Sequence, residues 1–395
     1  MTTAILLCGF MSGDGRVLGE PPSEPDVSAS IEGGSVTFPM KISSGLISIS
    51  AQVNSIPMTF ILDSGAELDM LDDGIAKFYG VTAQPSDDTM IISGTGGQIE
   101  APGRWARIDS LKIGGAELHQ SAAVLINFPP QFPAQGILGY NFLHHFVTTI
   151  DYQAMTVTFR GKAFRVDDAT TIPFKLIGNI PSVEIDVDGK RGRFKVDTGN
   201  NAAIDINRPF SERNHLFEKY TRHFDTVTGL GLGGEVRSRV VRIQTLTLGT
   251  QKIKNLIGHI SLQTKGALTD SKFDGLLGFE VLSRFRVTLD YPSNKIVLEK
   301  ANAEEPAFEY NRSGIGFSVV GGAAVVSDLV PAGPGEEAGV KVGDEMLEIN
   351  GVSIDTNSID FAAALFAKPG AAVKIKLCSA DKSIREVTVT LHELL

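Results

Sequence analysis

Phe60-Ile61-Leu62-Asp63-Ser64-Gly65 and Phe194-Lys195-Val196-Asp197-Thr198-Gly199 are the two stretches on which the reading of this chain turns. Each is a strand-like run ending in Asp-Ser/Thr-Gly. Taken singly, such a tripeptide is ordinary turn chemistry. Their surroundings, however, repeat. Pro39-Met40-Lys41 and Pro173-Phe174-Lys175 stand at the same distance before their respective Asp. In register with them, Ile49, Ala51 and Val53 match Val183, Ile185 and Val187. Downstream, Ile137-Leu138-Gly139 answers Leu276-Leu277-Gly278, and Asp151-Tyr152 answers Asp290-Tyr291. A duplicated unit carrying one carboxylate per copy implies two carboxylates meeting at a pseudo-twofold axis.

That constellation resembles the aspartic peptidases, retropepsin-like or pepsin-like, over residues 35–300. The resemblance implies a mainly β, two-lobed fold, with one lobe over 35–160 and the other over 171–300. It also implies that Asp63 and Asp197 are the catalytic pair and hold the attacking water between them. Ser64, Gly65, Thr198 and Gly199 would support the two loops, the hydroxyls bonding across the lobe interface. The apolar-apolar-Gly elements would brace the loops from behind. Gly-rich flap hairpins lie between these elements: Ser93 with Gly94, Thr95, Gly96 and Gly97, then Gly229-Leu230 with Gly231, Leu232, Gly233 and Gly234. Pepsin-like enzymes carry one flap with a Tyr near its tip. Flap candidates in both lobes, neither with a Tyr, look more like a retroviral-type dimer fused into one chain. The resemblance calls for no metal and no organic cofactor.

The chemistry explains the residue types. Hydrolysis by water needs a base for the water and an acid for the carbonyl, and two adjacent carboxyls supply both. Like charges so close cannot both ionise, so the pair shares one proton over a broad pH range. The ionised member takes the water's proton while the protonated member donates to the carbonyl oxygen. Gly65 and Gly199 permit a turn that a Cβ would obstruct. Ala66 and Asn200 follow the two motifs, where pepsin-like enzymes often carry a hydroxyl residue. Ala66 has no donor for a catalytic carboxylate, which points to mildly acidic or near-neutral working pH.

The chain's 395 residues suggest two to four domains. The net charge of −10 argues against nucleic acid or anionic membrane as a main partner. No stretch reaches the length of a transmembrane helix. Residues 1–34 read as a flexible leader or signal remnant. Ala4–Met11 is apolar like a signal core but lacks the basic segment that should precede it. Leu7 is larger than the small residue a lipoprotein cleavage site wants before its Cys. The two cysteines, Cys8 and Cys378, form no disulfide framework or zinc motif. They leave the compartment open between periplasm or cell envelope, the preferred expectation, and cytoplasm.

Short alternating runs broken by Gly, Pro, Asn and Asp are all-β punctuation. Asn54-Ser55 and Asp188-Gly189 read as matching hairpin turns. Helices are expected over 71–80 and 211–224, a polar joint over 163–169, and a linker over 301–311. A different module follows over 312–395. Gly314-Ile315-Gly316-Phe317, the run Ala338–Asp344 and Ile349-Asn350-Gly351 resemble a PDZ domain along its length. That resemblance implies a C-terminal peptide held at the backbone of Gly314, Ile315, Gly316 and Phe317. The peptide would add as a strand, beside a helix carrying Phe361 and Leu365.

Other motifs fail on context. The run Gly229–Gly234 matches a dinucleotide fingerprint, but a strand-like segment follows it and the required acid is missing. His144-His145 has no further ligand at a usual metal spacing. The first reading is therefore an aspartic-type endopeptidase, bacterial by architecture, acting on polypeptide substrates, with a PDZ domain for substrate or partner C-termini. The alternative is a non-catalytic peptide-binding protein that uses the same fold and PDZ domain as binding modules.

Overall fold

The structure, a computed structural model, describes residues 5–6, 27–84, 89–102, 104–129, 132–161, 170–301, 306–354 and 358–395. It is mainly β. Among the described residues, each half of the sequence repeat builds its own nine-stranded sheet, and a six-stranded sheet joins the halves. The joining sheet has Val147–Asp151 of the first lobe antiparallel to Phe285–Asp290 of the second. Thr149 opposes Thr288 at its centre, their hydroxyls 2.8 Å apart. The axis expected from the repeat runs there.

Within each lobe the same local physics recurs. Leu46–Val53 and Ile56–Leu62 form a hairpin turning at Asn54-Ser55, both at positive φ (49° and 71°). Ile180–Val187 and Lys190–Val196 form its counterpart, turning at Asp188-Gly189 (49° and 84°). Turns of this kind match the natural strand twist. The alternating apolar residues, among them Ile49, Val53, Val183 and Val187, enter one continuous core. The strands leading to each Asp pair in parallel with the apolar-apolar-Gly element, Phe60–Leu62 with Gly136–Leu138 and Phe194–Val196 with Gly275–Leu277.

Three expectations are corrected. The segment 71–80 is a strand, Met70–Asp72, then a short helix Asp73–Ala76 and a 3-10 turn Lys77–Tyr79. The segment 211–224 is not one helix. Arg208–Arg213 and Leu216–Lys219 are separated by His215 at φ 54°, a left-handed value no helix contains. The leader is shorter than 1–34: Ser28–Ile31 pairs antiparallel with Ala116–His119, taking an edge that would otherwise stay open. The backbone of Ile5-Leu6 pairs in parallel with Leu230-Gly231 of the second flap. The polar joint over 163–169 lies outside the described residues.

The C-terminal module is a five-strand path with one strand branching from it. Its edge strand is Ile315–Val320, and its helix is Ile359–Phe366. The module is anchored to the second lobe. Asp328 accepts from the Thr226 hydroxyl and the Val227 N–H, each at 2.8 Å, at the base of the second flap. Arg312 links Glu309 and Glu393. The Tyr310 hydroxyl donates to Glu393 and accepts from the Leu394 and Leu395 N–H groups. The terminal Leu395 is therefore buried against Tyr310 and joins the lobes' core rather than hanging free.

Candidate active site

The strands ending at Leu62 and Val196 deliver their two Asp residues to the axis, and the loops lock together there. The Thr198 hydroxyl donates to the Leu62 carbonyl (2.8 Å) and accepts from the Ser64 N–H (3.0 Å). Reciprocally, the Ser64 hydroxyl donates to the Val196 carbonyl (2.7 Å) and accepts from the Thr198 N–H (3.1 Å). All four partners are buried, so losing one would strand a polar group out of water. Behind each Asp, its N–H donates to the bracing element: Asp63 to Leu138 O (2.9 Å) and Asp197 to Leu277 O (3.0 Å).

The carboxyls face one another across the two glycines. A Cβ on Gly65 would lie 2.6 Å from both oxygens of Asp197, and a Cβ on Gly199 would lie 2.6 Å from both oxygens of Asp63. Only glycine allows that approach. The Gly65 N–H donates to Asp63 Oδ1 (2.8 Å), and the Gly199 N–H to Asp197 Oδ1 (2.9 Å). Asp63 Oδ2 is buried. Burial raises the Asp63 pKa well above the usual carboxylate range. The neighbouring Asp197 charge and a side-chain hydrogen bond with Asp197 push the same way, while the Gly65 N–H and the Lys195 charge oppose. The arrangement is a carboxyl pair held close enough to share a proton.

The flaps close over this pair. Thr89–Gly94 and Gly97–Pro102 form the first hairpin, and His223–Gly231 with the strand from Gly234 the second. Their tips press on each other: Gly94 backs onto Leu232 and Gly96 onto Gly234, leaving no room for side chains at these glycines. Leu232 is buried among first-lobe residues Ile61, Ile92 and Ile137. Both catalytic-candidate carboxyls are 0 % exposed as a result. The sequence-predicted flap residues thus meet above the sequence-predicted dyad.

Three contributors escaped the sequence reading. Gln263 Nε2 donates to Glu235 O in the second flap (2.7 Å) and to Thr95 O in the first (3.3 Å), tying the two together. Asp205 accepts from Asn200 Nδ2 (2.6 Å), which turns that amide away from the dyad. Lys195, two residues before Asp197, is 2 % exposed. Gln263 lies in a loop and Asp205 in the short strand Ile204–Ile206, neither within a motif. The third stands in a strand quoted above, but only the fold shows that it is buried.

In the PDZ module, Ile315–Val320 pairs with Ala323–Leu329 on one side only. Phe361 is 38 % exposed beside that strand's module core, while Ile315 and Phe317 are buried in it. The Ile315 N–H is already taken by the Ser313 hydroxyl (3.1 Å). A cavity of about 210 Å³ separates the helix residue Ala363 from Asn201 and His259 behind the second catalytic loop.

Residues 49–142 and 183–281 match the family model described as aspartyl protease, and residues 306–378 match that of the PDZ domain. No curated protein matches the chain. Among solved structures, the crystal structure of aspartic proteinase from Irpex lacteus is similar at TM-score 0.45 and 11% identity, covering 69% of this chain and 100% of that one.

Proposed function

We propose that this chain, whose two lobes belong to the aspartyl protease family and which ends in a PDZ domain, is an endopeptidase that activates water with Asp63 and Asp197. The observation that carries the reading is the reciprocal packing of each motif glycine against the other lobe's carboxyl. In the reaction, the ionised carboxyl takes a proton as water's oxygen bonds to the scissile carbon. The protonated carboxyl gives its proton to the carbonyl oxygen. The gem-diol then collapses: one of its hydroxyls returns a proton to the ionised carboxyl, the C–N bond breaks, and the proton held by the other carboxyl goes to the leaving nitrogen. Two waters are not needed, and the dyad ends as it began.

The flaps supply backbone groups for strand-like pairing with an extended chain and exclude water once closed. They must part before a substrate can enter, since the dyad is inaccessible beneath them. The edge strand Ile315–Val320 supports a second peptide site in the PDZ module, for apolar C-termini of substrates or partners.

A peptide library incubated with the protein across pH, with cuts mapped by mass spectrometry, tests the activity. Cleavage that vanishes in Asp63→Asn and in Asp197→Asn, and survives chelator, is the expected result. The same cuts persisting in either variant would reject the dyad. For the second site, fluorescent peptides ending in Leu or Val should bind better as acids than as C-terminal amides. Equal binding would reject a carboxylate site.

A further inference from the structure

Lys195 is the charge this fold should not have buried. In a strand, residues two apart point to the same face, so Lys195 shares the face of Asp197 while Phe194 and Val196 enter the core. It is 2 % exposed. Among the described residues its ammonium has no hydrogen bond and no carboxylate within 4.0 Å. Its nearest charge-related contact is the Phe273 ring, whose centroid lies 4.5 Å from Nζ. Lysine is seldom so buried.

The repeat shows where this face looks. Lys195 stands beside Leu276, as Ile61 stands beside Ile137 in the first lobe. Ile61 and Ile137 belong to an apolar cluster under the first flap, with Ile92 and Leu232. Leu276 belongs to the matching cluster under the second flap, with Val236, Ala267 and Leu268. Two equivalent side-chain clusters therefore stand beside the strands that carry the dyad. One is apolar throughout, and the other has an ammonium where its twin has Ile61.

We propose that Lys195, the second-lobe counterpart of Ile61, receives an acidic side chain once the flaps part, so that the chain cuts peptides beside an aspartate or glutamate. The inference rests on the peptidase reading above. A substrate carboxylate brought next to a dyad bearing one negative charge is repelled. Lys195 turns that repulsion into a charge-assisted bond in a water-poor site, where such bonds are strong. Four other charged groups act on this region. Glu67 lies within electrostatic reach of Lys195 and Lys272, and Asp270 opposes them. The dyad itself is the fourth. Burial raises the Glu67 pKa to about 7, so below neutrality it is largely protonated and leaves the Lys195 charge for the substrate.

The test uses the full chain and matched fluorogenic peptides carrying Glu, Gln or Leu at each residue flanking the cut. The wild type should prefer Glu over Gln at one of the two positions by about 10- to 100-fold in kcat/KM. Lys195→Met should abolish that preference and raise cleavage of the Leu peptide, while Lys195→Arg keeps it. Equal cleavage of Glu and Gln peptides by the wild type overturns the proposal. So does a Lys195→Met variant that lowers all three peptides in proportion, because that is what a merely structural lysine would do. Binding of the same peptides to Asp197→Asn gives a readout that needs no turnover. A Glu-over-Gln preference there upholds the role of Lys195 even if no peptide is cut, and its absence there overturns that role.

Discussion

The two lobes agree at the axis and diverge one shell away from it. Both present Asp-Ser/Thr-Gly, both exchange the same hydroxyl and amide bonds, and both receive an apolar-apolar-Gly brace. Behind the brace the solutions differ. Gly139 N–H donates to the Asp69 side chain (2.7 Å), whereas Gly278 N–H donates to the Ala203 backbone (3.1 Å). After the motif, the first lobe has Ala66, and the second has Asn200 bonded to Asp205. Two residues before each Asp, the first lobe has Ile61 and the second Lys195. Groups that must meet their own copy across the axis cannot change singly without breaking the reciprocal bonds. Groups that touch only their own lobe can.

The strongest way to break the comparison is at the axis. If the carboxyls are one unit, Asp63→Asn and Asp197→Asn should each lower kcat by at least about 10³-fold, and the double variant should be no worse than either. A single variant retaining a tenth of wild-type kcat would mean the lobes are not equivalent there. Both variants should keep their fold, since Asn retains the oxygen that accepts the Gly65 or Gly199 N–H.

The next effect belongs to the first lobe alone. Burial raises the Asp69 pKa to about 8, with the Gly139 and Phe142 N–H groups only partly offsetting it. Between roughly pH 4 and 8 the folded protein then holds a proton that the unfolded chain has released. The folded state binds more protons, so this contribution to stability is complete at low pH and is lost as pH rises through about 8. Asp69→Asn keeps the acceptor and has no proton to lose. Its unfolding free energy relative to wild type should climb from pH 5 to pH 8 by an amount on the order of a few kcal/mol, read as a widening Tm difference. A constant difference would show that Asp69 is ionised throughout.

Gln263 tests whether the flaps act together. Gln263→Leu removes one donor from each flap's carbonyl, at about 1 kcal/mol per bond. Amide exchange should quicken in both flap tips, and kcat/KM should fall about tenfold. Loosening of the second flap alone would assign Gln263 to that flap, not to the pair.

Much of this was legible because it was written twice. The spacing of the Asp loops, the apolar-Gly braces and the hairpin turns marked the repeat, and the Gly-rich runs marked the flaps. The PDZ module was legible from its glycine turns, and the helix expected to carry Phe361 and Leu365 is Ile359–Phe366. What stayed hidden depends on packing that no local pattern encodes. His215 breaks a helix by backbone conformation alone. Ser28–Ile31 has the composition of a leader and becomes a strand only because an edge awaits it. The N–H groups of Leu394 and Leu395 are tied to the Tyr310 hydroxyl some 80 residues earlier in sequence, a pairing no local pattern announces. Lys195 reads as a solvated strand residue until the fold puts it under the flap.

The smallest effect separates the residues following the motifs. A dyad works while one member is ionised, so whatever raises the carboxyl pKa moves the acidic limb of the pH profile upward. Burial and the facing carboxyl raise Asp63, and the Gly65 N–H only partly opposes them. Ala66 is buried and has no side-chain donor, while the Asn200 amide is spent on Asp205. Neither lobe therefore offers the dyad a side-chain donor at this position. The kcat/KM profile should peak at mildly acidic to near-neutral pH, and a peak below about pH 3.5 would contradict the raised dyad. Ala66→Ser supplies a hydroxyl in the first lobe that can favour the charged form, which should move the acidic limb down by up to ~1 pH unit. Asn200→Ser should do less unless Asp205 finds another donor, because the new hydroxyl must choose between Asp205 and the dyad. Equal shifts from the two variants would mean that the lobes are still alike at this position; an unmoved limb in Ala66→Ser would mean that burial alone sets the dyad's pKa.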